Sequence, residues 1–139
     1  MPLGNLGKGI KDTLVGTIKG AADVVATTLD ATKDTTVKAL QGARDVTREA
    51  SGMAVDGVTG AVQAASEVGA SVGGAAKGAV IGVVQGVGEV TQVTVATLSD
   101  TVRAAIKGTS EVGGDVADAG RGAVEGALVG GTRIGLVFE

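Results

Sequence analysis

Apolar and polar positions along this chain recur with a period of eleven residues. Cut from Lys8, the sequence reads KGIKDTLVGTI, KGAADVVATTL, DATKDTTVKAL and onward without a gap through about eleven units, the last ending at Leu128. The fifth position is acidic in nine units, from Asp12 and Asp23 through to Asp100 and Glu111. Alternate units are more alike than neighbours: Val24, Val46, Val68, Val90 and Val112 each follow such an acid, so the larger period is 22 residues. The chain divides into a lead (1–7), a tandem array (8–128) and a tail (129–139).

Eleven residues make three helical turns at about 3.67 residues per turn, close to the ideal α-helix, so each position returns to nearly the same face. On a helical wheel positions 2, 3, 6, 7, 10 and 11 lie together and hold Gly, Val, Ala, Thr, Leu and Ile almost throughout. Positions 1, 4, 5, 8 and 9 fill the other side and carry nearly every charge, which is the pattern of an amphipathic helix. The rival is a β-solenoid with 22-residue coils, which Gly, Val and Thr would suit. Apolar positions fall in adjacent pairs, however, where a half-exposed strand needs alternation. The expected fold is all-α: long amphipathic helix or helical hairpins, assembled with other copies or on a lipid surface.

Composition sharpens this expectation. Hydrophobic residues make up 44% of 139, yet Phe138 is the only aromatic, and 25 residues are Gly. An interior Gly costs a helix about 0.8–1 kcal/mol relative to Ala, so this sequence cannot hold an isolated helix and something must cover the apolar face. That cover is a membrane surface, another copy, or the chain folded back on itself. A straight helix from Lys8 to Leu128 would reach roughly 180 Å. The Gly-rich spots at Gly69–Gly74 and at Gly113–Gly114 are places for hairpins instead. The expected contact residues on columns 6, 7, 10 and 11 are Val24, Leu29, Leu40, Val58, Val80, Val84, Val102 and Ile106.

Charge and chemistry narrow the function classes. With no His and no Cys, the commonest general base and the usual metal ligands are missing. A net charge of −3 argues against nucleic acid as a partner. The acids of the fifth column repeat about every 16 Å along a helix, too far apart to share an ion or a substrate. No catalytic residue, cofactor, metal or small-molecule substrate is expected. Lys11, Lys33, Arg44, Lys77 and Arg121 occupy the fourth column, at the border of the apolar face, where a long basic side chain reaches a headgroup or an ion-pair partner.

Two small-residue rows stand out. Gly74, Gly78, Gly82 and Gly86 step by four residues, as do Gly122, Gly126 and Gly130, and such rows let helix backbones approach closely. The segment from Gly78 to Leu98 has Glu89 as its only formal charge and the length of a bilayer span, but it keeps the phase of its neighbours, which fits an interfacial position better. The opening MPLGNLGKGIKD has no basic stretch followed by an apolar one, so no secretory signal is expected. The expected location is cytoplasmic and peripheral to a lipid surface.

The pattern resembles the synuclein repeat and, more loosely, apolipoproteins and group 3 late-embryogenesis proteins. The synuclein unit carries K-T-K-E-G-V within eleven residues; its phase is matched here by Thr32-Lys33-Asp34, Asp56-Gly57-Val58, and Lys77 with Val80. That resemblance implies a chain that becomes helical on anionic or highly curved membranes and self-associates. The departures are Ala, Ser, Gly or Gln at many of the Lys positions, and a net charge that falls from +1 over residues 1–50 to −4 over the remainder.

The expected function is therefore a non-enzymatic structural protein that coats or shapes a lipid surface and self-associates. A subunit of a protein-only helical filament or bundle is the alternative, and a stress protectant of the late-embryogenesis type is a third.

Overall fold

The structure, a computed structural model, describes residues 4–18, 23–42 and 46–135, the side chains of 46–48 left aside. These residues form six helices: α1 (Asn5–Thr17), α2 (Val24–Gln41), α3 (Val46–Val68), α4 (Val72–Val90), α5 (Val95–Glu111) and α6 (Val116–Arg133). Among the described residues there is no strand. The first helix starts before Lys8 and the last runs past Leu128.

The turns explain why the helices end where they do. Gly69 after α3 and Gly113 after α5 both have φ of 73°, the left-handed conformation that a residue with a Cβ resists. Ala70 N–H donates to the Ala65 carbonyl (2.9 Å) and Gly114 N–H to the Thr109 carbonyl (2.9 Å), which closes a Schellman motif at each helix end. The next helix starts at once. Ser71 Oγ accepts from Gly74 N–H (3.0 Å) and Asp115 Oδ1 from Asp118 N–H (3.0 Å), satisfying one orphan donor each. Asp23 and Thr94 cap α2 and α5 in the same way. The two Gly turns and their caps recur at a spacing of 44 residues, so the α3–α4 and α5–α6 turns share one geometry.

These short connections make consecutive helices antiparallel, and the pairs stack. Helix α1 packs on α3 and α3 on α5 in one layer; α2 packs on α4 and α4 on α6 in the other, with α3 against α4 joining the layers at the centre. Within a layer the helices run parallel, since Gly4, Gly7 and Lys11 of α1 meet Asp56, Gly60 and Glu67 of α3 in ascending order. The architecture is a two-layer solenoid of three hairpins, in which each hairpin buries its faces against its neighbours.

The core is built of small side chains: Ala54, Val58, Ala61 and Val62 of α3 and Ala76, Val80, Val83 and Val84 of α4 share one buried cluster with Ile10, Leu14 and Leu40. Helix α4 is enclosed by α2, α3 and α6, and apart from Lys77 and Gln85 every residue from Ala75 to Val87 is buried. The apolar run from Gly78 to Leu98 is thus the centre of the stack followed by a turn at 91–94. Among the described residues no helix is long and apolar enough to cross a membrane.

Candidate interaction surfaces

Contacts within a layer depend on glycine. A Cβ on Gly60 would overlap the carbonyl oxygen of Gly7, and one on Gly122 would overlap that of Gly73. On α4, Gly78 lies against the Val25 carbonyl and Thr28, Gly82 against Thr32 and the Leu29 carbonyl, and Gly86 against Thr36. Gly74 has looser surroundings, where an added Cβ would stand 3.3 Å from Ser71 Oγ and 3.5 Å from Val24 Cγ1. Close backbone approach lets neighbouring helices gain dispersion contacts that Gly and Ala side chains alone could not supply, which offsets the low helix propensity of Gly.

The partners of these glycines are threonines the repeat columns did not single out. Thr28, Thr32 and Thr36 step by four along α2 and are fully buried against Gly78, Gly82 and Gly86. Thr32 Oγ1 donates to the Thr28 carbonyl at 2.8 Å, whereas the hydroxyls of Thr28 and Thr36 have no partner among the described residues. Two matched runs of four-residue steps, one of Thr and one of Gly, are the sequence signal for this contact.

The basic fourth column has a defined geometry. Lys11 of α1 pairs with Glu67 of α3 (3.5 Å), Lys33 of α2 with Glu89 of α4 (3.3 Å), and Lys77 of α4 with Glu125 of α6 (3.5 Å). In each case the base reaches the carboxylate of the next helix in its own layer. Arg121 stands on α6, the last helix of its layer among the described residues, where it is exposed and makes no ion pair with any of them. Arg44 lies outside the described residues.

The apolar column behaves likewise. Leu40, Val58, Val80 and Val84 are fully buried inside the chain's own stack, and Val24 and Leu29 are half-buried beside α4. Val102 and Ile106 of α5 are only half-buried, and each lines a shallow groove along α5 that Arg103 borders. Around them Val95 is 69% exposed, Val124 49% and Leu128 48%. Val124 and Leu128 stand 44 residues after Val80 and Val84, which α6 covers completely. The last hairpin therefore leaves open the face that earlier hairpins bury.

The opposite end of the stack differs. On α1 the outward residues include Gly9, Asp12 and Gly16, and a Cβ added at either glycine would meet nothing within 4 Å. On α2 the outward residues are Asp30, Asp34 and Lys38, all exposed. One end of the solenoid is small and acidic; the other is apolar and bordered by Arg103, Lys107, Arg121 and Arg133.

Among the described residues no group of three carboxylates, the only candidate ligands in this chain, could hold a metal ion. Compared with known proteins, the chain matches no family model, no curated protein and no solved structure.

Proposed function

We propose that this protein is a non-enzymatic structural subunit that works by self-association through its last helical hairpin. The observation that carries the reading is the exposed strip of Val124 and Leu128, whose counterparts Val80 and Val84 one hairpin earlier are fully buried. A solenoid gains stability by stacking, and a hairpin whose outer face exposes apolar side chains is a surface for association. The test is sedimentation velocity in lipid-free buffer over a range of concentrations. Wild-type protein forms species larger than one chain, and Leu128→Asp, at a position already half exposed, weakens that association at least tenfold. A wild type that stays monomeric at every concentration rules the reading out.

A second reading places the same strip on a lipid surface, with the protein peripheral to the membrane. It is favoured by Arg103 and Arg121, which border the strip as headgroup-reaching cations border interfacial helices. Flotation with anionic vesicles separates the two: lipid binding by the monomer, lost in Leu128→Asp, supports the membrane reading over the protein one.

A further inference from the structure

The two ends of the solenoid complement each other, and we infer that the copies associate head to tail, the α5–α6 end of one chain seating the α1–α2 end of the next. This inference rests on the self-association reading and specifies its partner surface. Three observations point to it.

The first is the internal repeat. Ser51, Thr59 and Val62 of α3 face α5, and the residues 44 positions later, Val95, Arg103 and Ile106, lie on the outward side of α5. On the other side, Asp56 and Gly60 of α3 face α1, and the residues 44 positions earlier, Asp12 and Gly16, lie outward on α1. In the α1–α3–α5 layer each end thus carries the counterpart of a surface that is already buried in the middle of the stack. The helix that would continue this layer beyond α5 has the character of α1. On α2, by contrast, the outward Asp30, Asp34 and Lys38 stand 44 residues before Gly74, Gly78 and Gly82 and offer charge in place of glycine.

The second is charge. Among the described residues the α5–α6 edge exposes Arg103, Lys107, Arg121 and Arg133 beside its apolar strip against Glu111, while the opposite edge exposes Asp12, Asp30 and Asp34 against Lys8 and Lys38. Two α5–α6 edges placed face to face would bring arginines together. Head to tail, they meet carboxylates, and unlike potentials at an interface set orientation and partner choice.

The third is the ion-pair ladder. Lys11, Lys33 and Lys77 each reach a carboxylate on the next helix of the layer, and Arg121 is the next base in that series. The following helix in its layer would be α2 of the adjoining copy, which presents Asp30 and Asp34. A contact between unlike ends is heterologous, so it does not stop at a dimer unless the rotation closes a ring.

The experiment uses two full-length variants, each disabled at one end: Leu128→Asp at the α6 edge and Asp34→Arg at the α2 edge. Both positions are exposed, and matching helical circular dichroism with wild type checks that each folds; Val124→Asp and Asp12→Arg are the substitute pair. Wild type is expected to grow in steps of one chain beyond the dimer, each variant alone to be monomeric, and an equimolar mixture to give a 1:1 heterodimer and nothing larger. Raising the salt from about 0.05 to 1 M should weaken the wild-type association several-fold as the charges are screened. If Asp34→Arg alone still dimerises, or if the wild type associates but the mixture yields no heterodimer, self-association stands and the head-to-tail geometry is overturned. If the wild type never associates, both fall.

Discussion

Gly60 of α3 lies directly against the carbonyl oxygen of Gly7 in α1, with no room between them for a methyl group. Gly52, two turns earlier on the same helix, has nothing within 4 Å of where its Cβ would be. Replacing each by Ala should therefore have opposite effects. Gly52→Ala gains helix propensity and stabilises by about 0.5–1 kcal/mol. Gly60→Ala gains the same propensity but forces the layer apart, at a net loss of about 1–3 kcal/mol. Urea unfolding followed by circular dichroism measures both; equal shifts for the two would mean that close approach is not what Gly60 supplies.

The buried threonines of α2 give a second contrast. The hydroxyls of Thr28 and Thr36 lack partners, whereas Thr32 donates to a backbone carbonyl. Exchanging a buried, unpaired hydroxyl for a methyl of the same shape removes a desolvation cost. Thr28→Val and Thr36→Val should each stabilise by about 1 kcal/mol, and Thr32→Val should do less. Denaturation midpoints ranking Thr32→Val above the other two would contradict this assignment.

Gly69 and Gly113 hold the turns of the α3–α4 and α5–α6 hairpins at positive φ. Ala at either position costs about 1–2 kcal/mol, because a Cβ crowds the carbonyl in the left-handed conformation. Asn, which tolerates that conformation better, should recover part of the loss. Thermal unfolding of the Gly113→Ala and Gly113→Asn pair tests the turn independently of packing.

Asp56 accepts hydrogen bonds from Gly4 N–H (2.8 Å) and Gly7 N–H (2.6 Å), so a side chain of α3 caps α1 across the layer. Asp118 repeats the device between α6 and α4, accepting from Gly73 N–H at 3.0 Å. Charged acceptors at a helix N-terminus are stronger than neutral ones. Asp56→Ala should cost about 1–2 kcal/mol and increase amide exchange first in α1. Lys11→Met, which removes only a half-exposed ion pair with Glu67, should cost less than about 1 kcal/mol. Hydrogen exchange of the two variants would rank the cap against the salt bridge.

Much of the local structure is legible in the sequence, and particular residues show where legibility stops. Asp23-Val24 opens α2, as an acid before an apolar residue at a helix start should. The same pair at Glu67-Val68 and Glu89-Val90 falls in the last turns of α3 and α4, and the caps pass to Ser71 and Thr94 instead. Acids near a helix C-terminus oppose the macrodipole, but Glu67 and Glu89 are held there by Lys11 and Lys33 across the layer. The fourth-column bases were visible as a column; their partners, one layer step away, were not. Gly78, Gly82 and Gly86 were visible as a row, while their Thr28, Thr32 and Thr36 counterparts are 50 residues away in the chain and share with them only the same four-residue step.

The eleven-residue period by itself determined that the chain is helical and which side of each helix is apolar, because backbone periodicity is a local property that every unit repeats. It did not determine where the chain reverses. A pattern of 3.67 residues per turn keeps its faces aligned whether the helix runs straight or folds into hairpins, so both satisfy the same wheel. Tertiary structure decided that point. Val and Ala bury too little surface in one straight helix to offset its glycines, and stacking helices through Gly60, Gly82 and Gly122 brings enough backbone and side chain into contact to hold the fold. The same stacking assigned the apolar column two fates, burying Val80 and Val84 in the middle and leaving Val124 and Leu128 open at the end.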